Sequence, residues 1–207
     1  MIITLKSGKQ NKVHIMLDGE YAMTVDSDFV AFSGIKDKSE ISDEELAELT
    51  GKVNSRRAFN KAAELLSMRD HSAKELLTKL RQKGFSEGAE QAVEKLKEYG
   101  YVDDRRFAQS YANELQRVKK YGKRRIESEL FKKGIDRETI FEVTEELELD
   151  NSELVSIIER KYLRYLDSEK GVQKTVNALL RLGYSFGEIK EALNTVKESL
   201  DIQEDFQ

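Results

Sequence analysis

Apolar and polar positions alternate over the first stretch of the chain and then fall into a helical stripe that returns three times. Val13, Ile15 and Leu17 alternate with Lys12, His14 and Met16, the period of two expected where one face of a strand is buried. Asp18-Gly19 is a two-residue hairpin signal, and Tyr21, Met23 and Val25 alternate on the return. Residues 2–6 read as a further short strand, so the pattern predicts a β-meander of about three strands, marginal on its own. Ser42 and Glu45 form a capping box, and Ile41 and Leu46 a hydrophobic staple, which start a helix near residue 43. Gly51 is expected to end or weaken that helix.

From about residue 54 the stripe repeats, and residues 69–86, 119–136 and 169–185 align. Their anchors are Leu80, Leu130 and Leu179, followed by Gly84, Gly134 and Gly183. Each glycine precedes an apolar residue (Phe85, Ile135, Tyr184) and then a capping residue (Ser86, Asp136, Ser185). Three helices per repeat follow. The first cover roughly 55–69, 103–119 and 152–167, the second roughly 73–83, 123–133 and 172–182, and the third roughly 87–99, 137–148 and 186–198. Ser72–Glu75 and Ser185–Glu188 are capping boxes, and Ile135–Ile140 and Tyr184–Ile189 are staples. The joint between repeats one and two is Gly100 to Phe107. Gly100 suits a helix stop, Asp103 an N-cap, Asp104 the positive end of the next helix, and Val102 with Phe107 a staple.

The predicted fold is mainly α. Tandem three-helix repeats form an elongated curved array, with a small N-terminal antiparallel β section. The expected divisions are 1–53 for the β-meander and its helix, 54–102, 103–150 and 151–199 for the repeats, and 200–207 for a tail.

Composition narrows the chemistry. The 207 residues contain no Cys, which excludes disulfides, thiol nucleophiles and thiolate metal sites, and no Pro, so glycines and caps must punctuate the helices. Charged residues make up 36%, above the roughly 25% of an ordinary globular protein, so the surface is heavily charged. No signal peptide and no long apolar run is visible, so a cytoplasmic protein without a membrane contact is expected. The net charge of −4 hides an uneven distribution. Residues 55–135 hold 20 Lys and Arg against 12 Asp and Glu, so the centre is basic and the ends are acidic. An anionic partner at the centre is implied.

Within that centre, Ser72 precedes Ala73-Lys74-Glu75, which suits a helix start, whereas Gly122 precedes Lys123-Arg124-Arg125. Three cations in a first turn oppose the helix dipole by roughly 0.3–1 kcal/mol each when exposed. An anion bound at that N-terminus would offset this, and so would pairing with Glu127, Glu129 or acids of the third repeat. Lys119, Lys120, Lys132 and Lys133 extend the basic patch. Arg105 and Arg106 either join it or pair with Asp103, Asp104 or a neighbouring repeat. Arg81 and Lys83 suit the helix C-terminus they occupy. Tyr101, Phe107 and Tyr111 could stack on bases, but their helical spacing favours core packing. His14 and His71 read as structural, and Asp103-Asp104 as helix-start residues rather than metal ligands. No catalytic residue, metal or cofactor is expected.

The chain resembles the RecX regulatory proteins of bacteria. The resemblance rests on Leu65-Leu66-Ser67-Met68-Arg69-Asp70-His71-Ser72 with Glu75-Leu76, and on Lys79-Leu80 and Lys83-Gly84-Phe85. It continues in Gly100-Tyr101-Val102-Asp103-Asp104 with Arg106-Phe107-Ala108, then in Gly122, Arg125-Ile126, Glu129-Leu130 and Lys133-Gly134-Ile135. It covers about 55–200 and is weakest in the third repeat. The resemblance implies binding to the RecA filament, with restraint of its ATPase, strand-exchange and coprotease activities. It also implies contact with single- or double-stranded DNA in some members. The competing expectations are a helix-turn-helix-like DNA-binding protein acting without RecA, and a helical scaffold for another protein.

Overall fold

The computed structural model describes residues 1–147 and 151–204, with side chains to residue 199. The expected end of one helix at residue 148 and the last part of the tail, 205–207, lie outside the described residues. The chain divides into two compact units, Met1–Arg69 with Leu76–Tyr101, and Asp70–Glu75 with Val102 onward.

In the first unit the alternation produces β1 (Ile2–Ser7), β2 (Lys12–Leu17) and β3 (Glu20–Asp26), antiparallel and in the expected meander. Ile3, Ile15 and Val25 turn to one face and are buried against Leu49 and Val53 of the following long helix. That helix is what a marginal sheet of this size requires. Two elements were not foreseen. A short helix, α1 (Ser27–Ser33), follows β3, and a two-residue strand, β4 (Ser39–Glu40), pairs with Ile2 and Ile3 to give the order β3-β2-β1-β4.

The long helix α2 (Asp43–Met68) starts at Ser42, whose side chain and that of Glu45 make both bonds of the capping box. It continues through Gly51 rather than ending there, one of the two outcomes expected of that glycine. A mid-helix glycine costs about 1 kcal/mol relative to alanine. Burial of Leu49 and Val53 on either side outweighs that. One helix therefore serves both the sheet and the first repeat. Its later turns bury Ala58, Ala62 and Leu65, and it packs against α4 (Ala89–Glu98), which buries Ala92, Val93 and Leu96. Between them in sequence lies α3 (Ala73–Gln82).

The second unit holds two helical cores. In the first, α5 (Asp104–Arg117), α6 (Lys123–Lys132) and α7 (Arg137–Glu145) enclose Phe107, Ala112, Leu115, Ile126, Leu130 and Val143. In the second, α8 (Asn151–Lys161), α9 (Glu169–Leu182) and α10 (Phe186–Glu204) enclose Leu154, Ile158, Leu179, Ile189 and Val196. The anchor leucines Leu80, Leu130 and Leu179 are all fully buried. The predicted first helix of the third repeat is interrupted: α8 stops at Lys161 and a 3-10 turn, Leu163–Tyr165, follows.

Candidate binding interface

The basic centre is built on two helix joints, both inside the second unit. At the first, Ser72 precedes α3. Its hydroxyl accepts from the Glu75 N–H (3.1 Å) and donates to the Lys133 carbonyl (2.6 Å), at the C-terminal end of α6. The Ala73 N–H donates to the Asp104 carboxylate (2.8 Å). Glu75 accepts from the Lys133 ammonium (3.1 Å) and contacts Nδ1 of the buried His71 (3.1 Å). His71 is thus structural, as expected. Asp103 caps α5 through the Arg106 N–H (2.9 Å). Asp104 serves the start of α3 as well as the first turn of its own helix.

At the second joint the N-cap is Gly122, which has no side chain to accept an N–H. Its N–H donates to the Leu182 carbonyl (2.9 Å), and the Arg124 N–H to the Gly183 carbonyl (3.2 Å). The C-terminal carbonyls of α9 therefore meet the N-terminus of α6 directly. The negative end of one helix dipole faces the positive end of another. Lys123, Arg124 and Arg125 oppose their own helix but stand beside the carbonyl end of α9. An external anion is not needed to explain cations there. The Tyr184 hydroxyl closes the joint by donating to the Lys120 carbonyl (3.2 Å). Burial, reinforced by the negative charges of Glu153 and Glu188, pushes this phenol up to about 12.

The candidate cations fall into two sets. Six are tied to carboxylates: Lys120 to Glu153, Lys123 to Glu145, Arg125 and Lys132 both to Glu129 (2.9 Å each), Lys133 to Glu75, and Arg105 to Glu142 (3.4 Å) and Glu146 (2.8 Å). Arg125 also lies over the Tyr121 ring, and Lys133 over the Tyr111 ring. Arg106, Lys119 and Arg124 are exposed, and their side chains have no partner among the described residues. Of the two alternatives for Arg105 and Arg106, Arg105 pairs within its own repeat, but with α7 rather than with Asp103 or Asp104, and Arg106 stays open. Arg81 pairs with Glu90.

The aromatic expectation holds in part. Phe107 is buried, and Tyr111 stacks on it at 5.6 Å. Tyr101 is 62% exposed and meets Tyr99 edge-on, so it is not a core residue. The helix before it ends at Glu98, so its side chain is carried by a turn and not by a helical stripe. An exposed aromatic on α6 that the sequence reading passed over is Phe131. It is 58% exposed on the same face of α6 as Arg124, which lies seven residues before it. Its exposure at a helical position beside a buried Leu130 was the available signal. His14 bonds the Thr24 hydroxyl (2.7 Å), and no group of three or more His, Asp or Glu among the described residues could hold a metal ion.

Two family models match the chain: "RecX, second three-helix domain" over residues 103–143 and "RecX, first three-helix domain" over 58–96. The regulatory protein RecX of Caldanaerobacter subterraneus subsp. tengcongensis is 35% identical over 197 residues, covering 94% of this chain and 99% of its own. That of Clostridioides difficile is 31% identical, covering 94% of each. Among solved structures, a crystal structure of regulatory protein RecX superposes with a TM-score of 0.69 at 19% identity, covering 95% of this chain and 98% of its own. The crystal structure of RecX from Lactobacillus salivarius gives 0.63 at 23% identity, covering 70% and 97%. At these identities the two structures speak for the fold alone.

Proposed function

This chain belongs to the RecX family of regulatory proteins, and on that premise we propose that it is a negative modulator of RecA. It binds the RecA–DNA filament and restrains ATP hydrolysis, strand exchange and coprotease activity. The repeats at 54–102, 103–150 and 151–199 are the binding modules, and 1–53 is an extension. The protein acts in the cytoplasm, where the filament forms; no helix among the described residues is long and apolar enough to cross a membrane.

The observation that carries the reading is the set of uncommitted cations Arg106, Lys119 and Arg124 inside an otherwise paired network. The other candidates are held by carboxylates, mostly at the surface, where an ion pair contributes only about 0–1 kcal/mol. Lys120, Lys123, Arg125, Lys132 and Arg105 can therefore exchange a carboxylate for phosphate or for an acidic face of RecA at small cost, whereas Lys133 is held in the half-buried joint with Glu75. The test is RecA's DNA-dependent ATPase with increasing amounts of this protein. Inhibition at near-stoichiometric amounts is expected. Unaltered hydrolysis together with tight, sequence-selective DNA binding would favour a DNA-binding protein acting without RecA.

A further inference from the structure

The third repeat carries a basic concavity that the central patch does not include. Its walls come from three elements: the last turn of α8 with Arg160 and Lys161, the 3-10 turn with Leu163 and Arg164, and α10 with Lys197. The concavity measures about 820 Å³ and is open to solvent. Four cations line it against two carboxylates, Glu159 and Asp167. Arg160, Lys161 and Lys197 form no ion pair among the described residues, so their charge is available to a ligand.

Beside these cations stands an aromatic platform. The Arg164 guanidinium lies 4.8 Å from the centroid of the Tyr165 ring and donates to the Tyr165 hydroxyl at 2.7 Å. Tyr165 is 42% exposed. The turn that carries both residues is fixed from below. The Tyr165 carbonyl fills the space where a side chain on the buried Gly171 would stand, and Ser168 caps α9 through the Gly171 N–H (3.2 Å). The break between α8 and α9 therefore sets an arginine and a tyrosine at the edge of the basic concavity.

We propose that this concavity binds single-stranded nucleic acid, with Arg160, Lys161 and Lys197 on backbone phosphates and Tyr165 stacked on an unpaired base. Cations from separate elements can follow successive phosphates, and an exposed ring held by an arginine accepts any base face. An acidic protein surface would use the same cations but would leave the ring without its planar partner. A duplex keeps its bases stacked and offers the ring nothing.

The test needs no RecA and is independent of the proposed regulatory role. Fluorescence anisotropy of labelled oligothymidylate is titrated at several salt concentrations with the wild-type chain, the variant R160Q/K161Q/K197Q, and Tyr165→Ala. Each lost phosphate contact lowers the slope of log affinity against log salt by about 0.7 for a single strand, so the triple variant loses about 2. Tyr165→Ala weakens binding roughly tenfold with the slope unchanged, and it leaves binding of a duplex unaltered. If thermal unfolding shows the triple variant to be misfolded, Lys161→Gln and Lys197→Gln are read singly, each losing about 0.7 in slope. Wild-type affinity and slope in the folded variants would overturn the proposal.

Discussion

The starts of α3 and α6 are two versions of one joint, built with opposite chemistry. Each places the N-terminus of a repeat's second helix against the glycine turn that ends the second helix of the next repeat. At α3 the contact runs through a side chain: Ser72 bridges its own helix start and the Lys133 carbonyl, with carboxylates of Asp104 and Glu75 around it. At α6 it runs through the backbone. Gly122 brings its own N–H and that of Arg124 onto the carbonyls of Leu182 and Gly183, with cations around them. Capping is thus a property of the joint rather than of the helix. A first turn of lysine and arginine that opposes its own dipole is stable because another helix ends there.

The glycine turns give the largest expected contrast. Gly183 has φ +97, and a Cβ on it would meet the backbone of Arg125; Gly134 has φ +86 and would meet only the side chain of Lys74; Gly84 has φ +84 and open space. Urea unfolding should show Gly183→Ala destabilised by about 3 kcal/mol or more. Gly134→Ala should lose about 1–2 kcal/mol, and Gly84→Ala about 1 kcal/mol. Equal losses at all three would mean that the joints do not differ in closeness.

The caps should respond in opposite directions to serine. Ser72→Ala removes a cap and a bridge and costs about 1–2 kcal/mol. Gly122→Ser, which would strengthen an ordinary helix start, is expected to cost about 2 kcal/mol, because a Cβ there stands 2.6 Å from the Gly183 backbone. Stabilisation by Gly122→Ser would break the comparison.

Alkaline pH sharpens it further. The Tyr184 phenol is raised from its ordinary value near 10 to about 12 in the folded chain, chiefly by burial. The fold favours its neutral form, so its contribution is complete below pH 10 and is lost as pH rises through about 12. The corresponding residue at the first joint, Ile135, cannot titrate. Absorbance titration should find a late tyrosine component that is missing in Tyr184→Phe. That variant should also lose about 1 kcal/mol at neutral pH with the bond to Lys120.

What was legible in the sequence is what is local. The caps at Ser42, Asp103, Asp136 and Ser185 each close within three residues and form as the spacing predicts, whereas Ser86 does not cap α4, which starts at Ala89 after Gly88. The buried anchors Leu80, Leu130 and Leu179 follow from helical periodicity. What could not be read locally depends on distant partners. Gly51 continues a helix because Leu49 and Val53 are held by the sheet. Asp104 bonds a residue 31 positions earlier. The carbonyls that receive Gly122 and Arg124 lie about 60 positions later, so the charge run looked unsatisfied when read alone. Which of its cations are tied to carboxylates could only be read once Glu145, Glu129 and Glu153 were placed.

The smallest effect on stability carries the greatest weight for function. The Arg106, Lys119 and Arg124 side chains are exposed and make no hydrogen bond or ion pair among the described residues, so R106E/K119E/R124E should unfold within about 0.5 kcal/mol of the wild type. The decisive measurement is RecA's DNA-dependent ATPase titrated with both proteins. The wild type should suppress hydrolysis at near-stoichiometric amounts, and the charge-reversed variant, equally folded, should suppress it far less. Full hydrolysis in the presence of folded wild type would contradict the regulatory role. Equal suppression by both would remove these three cations from the interface.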